Sequence, residues 1–488
     1  MSVTDREPRE TSAQPAPAPP APAPAPAGPV PVSAPAAPAP TDAHADLTTG
    51  HAPAAQPSAP ARRPRRATVA DIVRAVTDGP LSLRISGYDG SAVGPADAGI
   101  GLHIATERGL SYLLTAPGDL GLARAYVSGD LRLVGVHPGD PYEALRLFKD
   151  ELRLRLPSPA EALTLVRRLG WDRLLPPPRP PQEALPRWRR LTAGWRHSRG
   201  RDSRAIQHHY DVSNAFYERV LGPSMTYTCA VYHDPSDTLE QAQAAKYDLV
   251  AGKLGLRSGM RLLDVGCGWG GMVRHAAREY GVRALGVTLS RAQAEWAQAA
   301  IEREGLTGLA EVRYLDYRDA PVEQFDAVSS IGLTEHIGVR NYPSYFAALR
   351  DRLRPGGRLL NHCITRADNR MPNRPGRFID RYVFPDGELA GPGRVISEIH
   401  DVGLEVQHEE NLRQHYALTL AAWCRNLVEH WDACVSEAGV GIARVWGLYM
   451  AGSRLAFERN TIQLHQVLAT RTGPDGDASY PLRPTWTP

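Results

Sequence analysis

The chain has 488 residues, enough for two or three domains, and 42% of them are hydrophobic, which is sufficient for buried cores. A formal net charge of only +3 argues against a nucleic-acid partner, and five cysteines without a C-x-x-C pair argue against a disulfide framework and against a metal site of zinc type. Because no uninterrupted apolar run approaches about 18 residues and no export signal opens the chain, we expect a cytoplasmic protein without a membrane-spanning helix.

The first 66 residues are dominated by alanine and proline and close with the basic run 62–66. Proline removes backbone donors and alanine offers little surface to bury, so this composition predicts a disordered tail. The hydrophobic pattern of residues 67–150 predicts a small α+β N-terminal domain, which begins with a helix after Thr68. Strand-like pieces follow over 81–87, 101–104 and 122–129.

Residues 151–205 combine an amphipathic helix within 157–175 with a linker rich in proline, arginine and tryptophan. In this linker Trp188 and Trp195 lie among many arginines. Tryptophan settles at a lipid interface and arginine pairs with phosphate, so the segment is either a membrane-surface contact or a plain exposed connector. Composition leaves both interpretations open.

Strands and helices alternate from residue 206 to 472, before a short C-terminal tail over 473–488. Two capping boxes, Thr238 with Gln241 and Ser290 with Gln293, predict helix starts. Such a series predicts a mainly parallel sheet with helices on both faces, and a ligand site beyond the carboxyl ends of the strands. The predicted strands cover 260–265, 284–289, 311–315, 325–331 and 358–364.

A glycine turn follows the first of these strands, in the stretch RLLDVGCGWGGM over 261–272. Glycine permits positive φ and carries no Cβ, so a nucleotide-like ligand can approach the backbone there. The G-x-G-x-x-G spacing is shared by several cofactor classes. A dinucleotide site needs an acid at the end of the second strand, but that strand ends in Thr288, while the acids are Asp264 and Asp316. This arrangement favours S-adenosylmethionine (SAM) over another nucleotide ligand.

Seven stretches, in their order and spacing, resemble the cyclopropane-fatty-acyl-phospholipid synthase family, which includes the mycolic acid cyclopropane synthases. They are HHYDVSNAFYERVLGPSMTYTCAVY (208–232), LLDVGCGWGG (262–271), GVTLSRAQ (286–293), GLTEHIG (332–338), NHCI (361–364), FIDRYVFPDGEL (378–389) and HYALTLAAW (415–423). The resemblance covers about residues 200–470 and is fainter over 67–150, where it implies a lipid-binding domain. It implies a Rossmann-like class I SAM-dependent methyltransferase fold.

The family resemblance also implies a reaction. The methyl group of SAM is transferred to a cis double bond in a phospholipid acyl chain, and loss of a proton to bound bicarbonate closes a cyclopropane ring. An alkene is a poor nucleophile and its methylation leaves a carbocation, so the site must align the reactants and exclude water. The enzyme is expected to act at the membrane surface from the cytoplasm, and a homodimer is a further expectation.

Residue by residue, the resemblance implies bicarbonate ligands at Cys229, Glu335, His362, the backbone of Ile364, and Tyr416. Histidine, tyrosine and a backbone N–H can donate to an anion, whereas Glu335 must share a proton or orient His362. Around SAM, the glycines approach the methionine portion, Gln293 reaches the ribose and Asp316 with Tyr317 lies by adenine. The full expected set is Tyr227, Asp264, Gly266, Gly268, Gly270, Thr288, Gln293, Asp316 and Tyr317.

Some positions depart from the family pattern, namely Leu333, Thr334 and Cys363. These changes bear on acyl specificity and on the fate of the carbocation, so a methyl- or methylene-branched product is a competing hypothesis. A small-molecule methyltransferase and a catalytically silent lipid-binding protein are two further alternatives. Cys363 and His336 are interpreted as structural, and the apolar stretch 378–384 as a lining for the acyl chain.

Overall fold

A computed structural model describes residues 66–184, 212–484 and Trp486. The predicted disordered tail and the linker tryptophans Trp188 and Trp195 lie outside these residues. All five cysteines lie within them and are free thiols. In this part of the chain, no helix combines the length and the apolar character needed to cross a bilayer.

Residues 66–184 form small sheets flanked by helices. The helices are α1 (Val69–Val76), α2 (Glu107–Thr115), α3 (Asp119–Val127), α4 (Tyr142–Glu151) and α5 (Pro159–Leu169). The strands are β1 (Thr77–Asp78), β2 (Arg84–Gly87), β3 (Ala92–Val93), β4 (Gly101–Ile104), β5 (Leu131–Val134) and β6 (Arg153–Leu154). A four-stranded sheet has the order β3-β2-β4-β5, and β1 pairs with β6.

The strand-like prediction for 122–129 is wrong, because these residues lie mostly in helix α3. Leu120, Ala123 and Val127 are all buried, and their spacing of three and four residues is that of one helix face. Glycine at position 118, with φ of 97°, precedes the helix. Packing of this apolar stripe outweighs the local strand-like composition.

Residues 212–484 contain the larger sheet. Its strands are β7 (Arg261–Val265), β8 (Arg283–Thr288), β9 (Ala310–Tyr314), β10 (Phe325–Ile331), β11 (Leu353–Arg366), β12 (Glu405–Asn411) and β13 (Ile462–Thr470). The helices are α6 (Asn214–Leu221), α7 (Leu239–Leu254), α8 (Gly271–Tyr280), α9 (Arg291–Arg303), α10 (Thr334–Ile337), α11 (Tyr342–Arg352), α12 (Pro392–Asp401), α13 (Arg413–Glu429), α14 (Trp431–Ala438) and α15 (Val440–Glu458). A short π-helix covers Ile379–Val383.

The sheet order is β12-β13-β11-β10-β7-β8-β9. The pairs β9/β8, β8/β7, β7/β10 and β10/β11 are parallel, which confirms the predicted mainly parallel sheet. Strand β13 runs antiparallel to both β11 and β12. Sequence patterning missed these last two strands, because β12 is a polar edge strand and β13 is largely buried, so neither shows a clear alternation.

The capping box at Thr238 and Gln241 forms in both directions and opens α7 as predicted. The second box forms only in half. Ser290 accepts from the backbone N–H of Gln293, but the Gln293 side chain turns to the hydroxyl of Thr288, 2.8 Å away. This side chain is therefore held at the ligand edge of the sheet.

Candidate active site

Two small cavities lie at the carboxyl ends of β7, β8 and β10. Their volumes are about 70 and 80 Å³. Both are lined by Gly266, Gly268, Gln293 and Gly332, so they form two parts of one pocket, which we call the cofactor pocket. Its position beyond the strand ends agrees with the prediction for a parallel α/β sheet.

The glycine turn forms one wall of the cofactor pocket. Gly266 and Gly268 have φ of 75° and 56°, a conformation that favours glycine. A Cβ on Gly266 would approach the side chain of Leu333 to 3.0 Å, whereas a Cβ on Gly268 would meet no atom within 4 Å. Gly268 therefore presents bare backbone to open space, as a closely bound ligand requires. Gly270 lies behind the turn, where a Cβ would contact Ala297 and Val312 at 3.2 Å.

Two buried ionisable groups line the same pocket, Asp264 and Lys246. Burial raises the pKa of Asp264 to about 6, although the Ser329 hydroxyl donates to it at 2.6 Å. Burial also lowers the pKa of Lys246 to about 7, and its ammonium donates to Thr228 Oγ1 at 3.2 Å. Sequence reasoning found Asp264 beside the motif but missed Lys246, which α7 supplies from outside any motif.

The expected ribose and adenine residues divide into two groups. Thr288, Gln293 and Tyr317 line the cofactor pocket. Because Thr288 donates to the side-chain oxygen of Gln293, the amide NH₂ group of Gln293 remains as its donor for a ligand. Asp316 is buried beside the pocket, and Arg318 contacts both of its carboxylate oxygens, at 2.8 and 2.6 Å. The structure thus brings Tyr317, rather than Asp316, to the lining.

A larger cavity of about 430 Å³ adjoins the cofactor pocket, and we call it the acyl cavity after the acyl-chain lining predicted for residues 378–384. Gly332 lines both, as do Tyr227 and Thr228. The walls are mostly apolar, and they come from α3, α4, the stretch 376–389, α13, α15 and the ends of β11 and β13. Lining side chains include Leu122, Leu145, Phe378, Ile379, Phe384, Leu420, Leu448, Phe457 and Leu464. Three of these residues belong to the stretch 378–384, whose part as a lining for the acyl chain stays a prediction.

The polar end of the acyl cavity contains Glu335 and His362. Glu335 Oε1 accepts from the backbone N–H of Ile364 at 2.7 Å, while its Oε2 is buried without a partner. Burial raises the pKa of Glu335 to about 7, although the Ile364 hydrogen bond opposes this. Near neutral pH this carboxyl group therefore carries a proton for a large part of the time. The N–H of Ile364 is already used by Glu335.

His362 is held by a series of hydrogen bonds that begins at Lys253 of helix α7. Lys253 donates to Glu410 and, at 2.7 Å, to Gln466 Oε1. Gln466 then faces His362 Nδ1 with its amide nitrogen, at 3.1 Å. Glu410, Gln466 and His362 also stand in one register row across β12, β13 and β11. No sequence motif indicated these partners, because Glu410 and Gln466 reach His362 through sheet pairing and Lys253 through packing of α7 against the sheet.

The hydrogen bonds from Lys253 through Gln466 determine the tautomer of His362. An ammonium group can only donate, so Gln466 must turn its oxygen to Lys253 and its NH₂ group to His362. Nδ1 is then the acceptor, and Nε2 carries the proton. Burial and the charges of Lys246 and Lys253 hold the pKa of His362 well below its usual range, so the ring is neutral. Its Nε2–H is buried without a partner, and His362 lines the acyl cavity.

The remaining predicted residues are placed differently. Tyr416 lines the acyl cavity and packs against Phe457, with ring centroids 4.6 Å apart. The Cys229 thiol is fully buried outside the cavity lining and faces the carbonyl oxygens of Ala230 and Leu412 at 3.2 and 3.8 Å. Its part as a ligand stays a prediction.

His336 and the three departures from the family pattern have clear positions. His336 lines both the acyl cavity and the cofactor pocket, which sequence reasoning did not anticipate. Leu333 borders the cofactor pocket, and Thr334 is buried, donating to Asn361 at 2.6 Å. Cys363 is buried away from both cavities and accepts from Asn361. The interpretation of Cys363 as structural agrees with this position.

The strand order, the glycine turn after the first parallel strand and the pocket beyond it define a class I SAM-dependent methyltransferase. The sequence profile of the family described as mycolic acid cyclopropane synthetase matches residues 197–467. The match covers more than half of the chain, so the chain belongs to this family. The match confirms the family that the motifs indicated.

Curated relatives and solved structures agree with this assignment. A probable fatty acid methyltransferase of Mycobacterium tuberculosis is 61% identical over 424 residues, 87% of this chain and 99% of the relative. The cyclopropane-fatty-acyl-phospholipid synthase of Escherichia coli is 36% identical over 54% of this chain and 66% of its own length. The solved structure of the cyclopropane synthase MmaA2 from M. tuberculosis is 33% identical, covers 55% of this chain and 98% of its own, and has a TM-score of 0.52.

A second solved structure bears on the cofactor. The mycolic acid cyclopropane synthase CmaA1, in complex with SAH and CTAB, is 31% identical and covers 55% of this chain and 97% of its own, with a TM-score of 0.52. Together the family and these structures identify the chain as a SAM-dependent fatty acyl methyltransferase or cyclopropane synthase.

Proposed function

We propose that this enzyme converts cis double bonds in the acyl chains of membrane phospholipids into cyclopropane rings. One observation carries the proposal: an apolar cavity meets the cofactor pocket at Gly332, and the acyl cavity has a neutral histidine donor and a raised-pKa carboxyl group, His362 and Glu335, at its polar end. SAM would supply the methyl group and bicarbonate would supply the base for one proton. The residues present fit both groups.

The fit to SAM rests on the cofactor pocket. Gly268 offers bare backbone to open space, and Gln293 offers amide donors. Lys246 is a buried cation without a carboxylate in ion-pair contact among the described residues, and it would bind the SAM carboxylate. Tyr227 borders both cavities and closes the methionine end with its ring, whose hydroxyl donates to Tyr449 at 3.0 Å.

The fit to bicarbonate rests on two buried polar atoms that have no protein partner, His362 Nε2 and Glu335 Oε2. The imidazole donates its Nε2 proton to an anion, and the protonated carboxyl group of Glu335 donates a second one. This resolves the apparent repulsion between a carboxylate and a small anion. Tyr416 and Cys229 complete the proposed set, and the Ile364 backbone acts by orienting Glu335.

The apolar walls perform the rest of the task. They hold an acyl chain along the cavity and keep water from the reacting carbons, which matters because water would capture a carbocation. Side chains from α3 and α4 contribute to these walls, so residues before 150 take part in enclosing the lipid. This supports the lipid-binding role proposed for residues 67–150.

A membrane surface is the proposed source of the substrate. Large exposed apolar side chains occur along residues 154–175, in and beside α5, together with the exposed arginines Arg153 and Arg167. The apolar members are Leu154, Leu156, Leu163, Val166, Trp171 and Leu175. Apolar side chains mixed with arginine suit an anionic bilayer. Cosedimentation with phosphatidylglycerol vesicles should be weaker for the double variant Leu156→Asp/Trp171→Ala than for the wild-type protein. The exposed control Val440→Asp should bind like the wild-type protein. Equal binding of the wild-type protein and both variants would contradict this surface.

The test of the reaction uses SAM with a labelled methyl group and vesicles of oleoyl phospholipid. Labelled ring protons in the NMR spectrum of the recovered acyl chains would support cyclopropanation. A labelled methylene or methyl branch would establish the second candidate, which the probable fatty acid methyltransferase relative favours by name. Absence of label from every acyl chain would contradict both and revive the silent lipid-binding hypothesis. Sedimentation velocity of the same protein tests the proposed homodimer.

A further inference from the structure

Strand β11 forms a floor of the acyl cavity with three side chains from one face. His362, Ile364 and Arg366 alternate along the strand, and all three line the cavity. Arg366 lies four positions after His362 along the extended strand, which corresponds to about 13 Å. The cavity therefore has a reacting end at His362 and a basic end at Arg366, where the strand stops.

Arg366, the charged side chain at this basic end, is only 9% exposed. One terminal nitrogen donates to the backbone oxygen of Arg374 at 2.7 Å, and Nε is buried without a partner. Among the described residues no carboxylate lies within ion-pair distance of it. Burial alone acts on the pKa of Arg366, which it lowers.

An unbalanced buried guanidinium is costly for a folded protein. Burying a charge without a partner is far less favourable than burying an apolar side chain of the same size. A purely structural role, the hydrogen bond to Arg374, could be performed by a neutral donor. The arrangement is therefore typical of a group whose partner arrives with a ligand, and that ligand must be anionic.

The chain that follows Arg366 strengthens the positive charge. Arg370, Arg374 and Arg377 are exposed in this loop, and its single acid, Asp368, accepts from the backbone N–H groups of Arg370 and Met371. Pro375, Gly376 and Phe378 then return to the cavity wall. One acid, Asp119, also lines the cavity beside Gly376, and it accepts from the backbone N–H of Phe378. A lipid that enters here therefore passes three exposed arginines before it reaches the apolar walls.

We propose that Arg366 binds the phosphodiester of the lipid substrate while the acyl chain runs along β11 toward His362. The substrate is then a glycerophospholipid rather than a free fatty acid, and Arg366 sets the register that brings the double bond to the polar end. The guanidinium forms two parallel hydrogen bonds to a phosphodiester, which lysine cannot reproduce. The placement of an acyl chain along β11 rests on the proposed function. The phosphate site at Arg366 does not depend on it.

The test measures binding of soluble short-chain lipids to the full-length protein without SAM. Calorimetry compares dihexanoylphosphatidylglycerol with dihexanoylglycerol, which lacks the phosphate. We expect the wild-type protein to prefer the phospholipid by about 10- to 100-fold, the range for one hydrogen-bonded charge pair. Arg366→Met should bind both lipids alike, Arg366→Lys should keep part of the preference, and the exposed control Arg257→Met should keep all of it.

Thermal unfolding distinguishes ligand binding from structural support. Because Met removes an unbalanced buried charge, Arg366→Met should unfold at the wild-type temperature or above it. A preference that survives in Arg366→Met, or a wild-type protein without any preference, would overturn the proposal. If Arg366→Met does not fold, Arg366→Lys and Arg366→Gln provide the comparison, and an unchanged preference in both would overturn it equally.

Two outcomes distinguish this proposal from a carrier-bound substrate and from the proposed reaction itself. If the wild-type protein prefers an oleoyl group on a phosphopantetheine carrier to the phospholipid, the assignment to a lipid phosphodiester is wrong. If the phospholipid preference depends on Arg366 but no methyl group reaches oleoyl phosphatidylglycerol, the proposed reaction fails and the phosphate site stands.

Discussion

The cofactor pocket and the acyl cavity adjoin at Gly332, yet they are built in opposite ways. The cofactor pocket takes most of its lining from short segments at the ends of β7, β8, β9 and β10. The acyl cavity combines helices α3, α4, α13 and α15 with the ends of β11 and β13. Backbone geometry within a motif forms the first, and packing between distant elements forms the second.

This contrast explains how one fold can keep its cofactor and change its substrate. A glycine turn leaves little room for variation, since a Cβ at Gly266 would press on Leu333 at 3.0 Å. The apolar lining consists of many side chains, and a similar apolar side chain can replace any one of them at little cost in stability. Substitutions at the polar end, in the relay behind it, in the cofactor pocket and in the apolar wall should therefore have separate and decreasing effects.

The largest effect is expected for Glu335→Gln, which removes the titratable proton at the polar end. Product formation should fall by about 100- to 10,000-fold, the usual contribution of a positioned acid or base. SAM affinity measured by calorimetry should not change, because Glu335 lies outside the cofactor pocket lining. Glu388→Gln is the control, since Glu388 also accepts a backbone N–H but does not line the cavity. Wild-type activity in Glu335→Gln would contradict the site.

The same variant should change the pH dependence of stability. Burial raises the pKa of Glu335 from 4.5 to about 7, so between these values the folded state keeps a proton that the unfolded state has lost. Stability then falls as pH rises through this window, and the neutral amide of the Glu335→Gln variant removes the fall. Without bicarbonate, the Glu335→Gln protein should gain up to about 3 kcal/mol over wild type above pH 7, as urea unfolding can measure. Equal pH profiles would contradict the raised pKa.

A smaller loss is expected for Gln466→Glu, which tests the tautomer of His362. A carboxylate accepts from Lys253 with one oxygen and from His362 Nδ1 with the other, so the ring proton moves to Nδ1. The ¹⁵N chemical shifts of His362 Nδ1 and Nε2 should therefore swap values. Activity should fall by about 10- to 100-fold, the cost of one hydrogen bond to a charged group.

The control for this prediction is Gln463→Glu on the same strand, where Gln463 donates to Asn460 and does not contact His362. Its ¹⁵N shifts and activity should match those of the wild-type protein. If Gln466→Glu loses activity while the His362 shifts stay unchanged, the relay does not set the tautomer.

A still smaller effect is expected for Lys246→Met in the cofactor pocket. Loss of the buried ammonium should weaken SAM binding by about 10-fold, and it should not alter binding of the short-chain phospholipid. The protein should be at least as stable, because burial of Lys246 carries a desolvation penalty that lowers its pKa to about 7. The exposed Lys149→Met is the control, and unchanged SAM affinity in Lys246→Met would remove Lys246 from the cofactor site.

The smallest effect concerns the apolar wall at Gly452 in α15. A Cβ there would meet only Leu145, at 3.9 Å, so Gly452→Ala fits and should stabilise the helix by about 1 kcal/mol with full activity. Gly452→Phe fills part of the cavity and should lower activity on long acyl chains a few-fold relative to shorter ones. Competition between lipids of two chain lengths measures this ratio, and an unchanged ratio would place the acyl chain elsewhere.

The fold was largely predictable, because βαβ alternation, capping residues and glycine are local signals. The strands from β7 to β11 and the helices that begin after Thr238 and Ser290 were found in this way. Strands β12 and β13 were not, since one is a polar edge and the other is buried too evenly to alternate. Helix α3 was wrongly predicted as a strand because its apolar stripe stabilises a helix only when it packs against the core.

The chain by itself determined the glycine turn, the acids near it and the family that its motifs resemble, because these depend on residues that are neighbours in sequence. Only the tertiary structure decided which proton His362 carries, since Gln466 and Lys253 reach it through strand register and helix packing. It also decided that Glu335 retains a proton and that Arg366 has no counter-charge, because burial and the absence of a nearby acid among the described residues are properties of assembled surroundings.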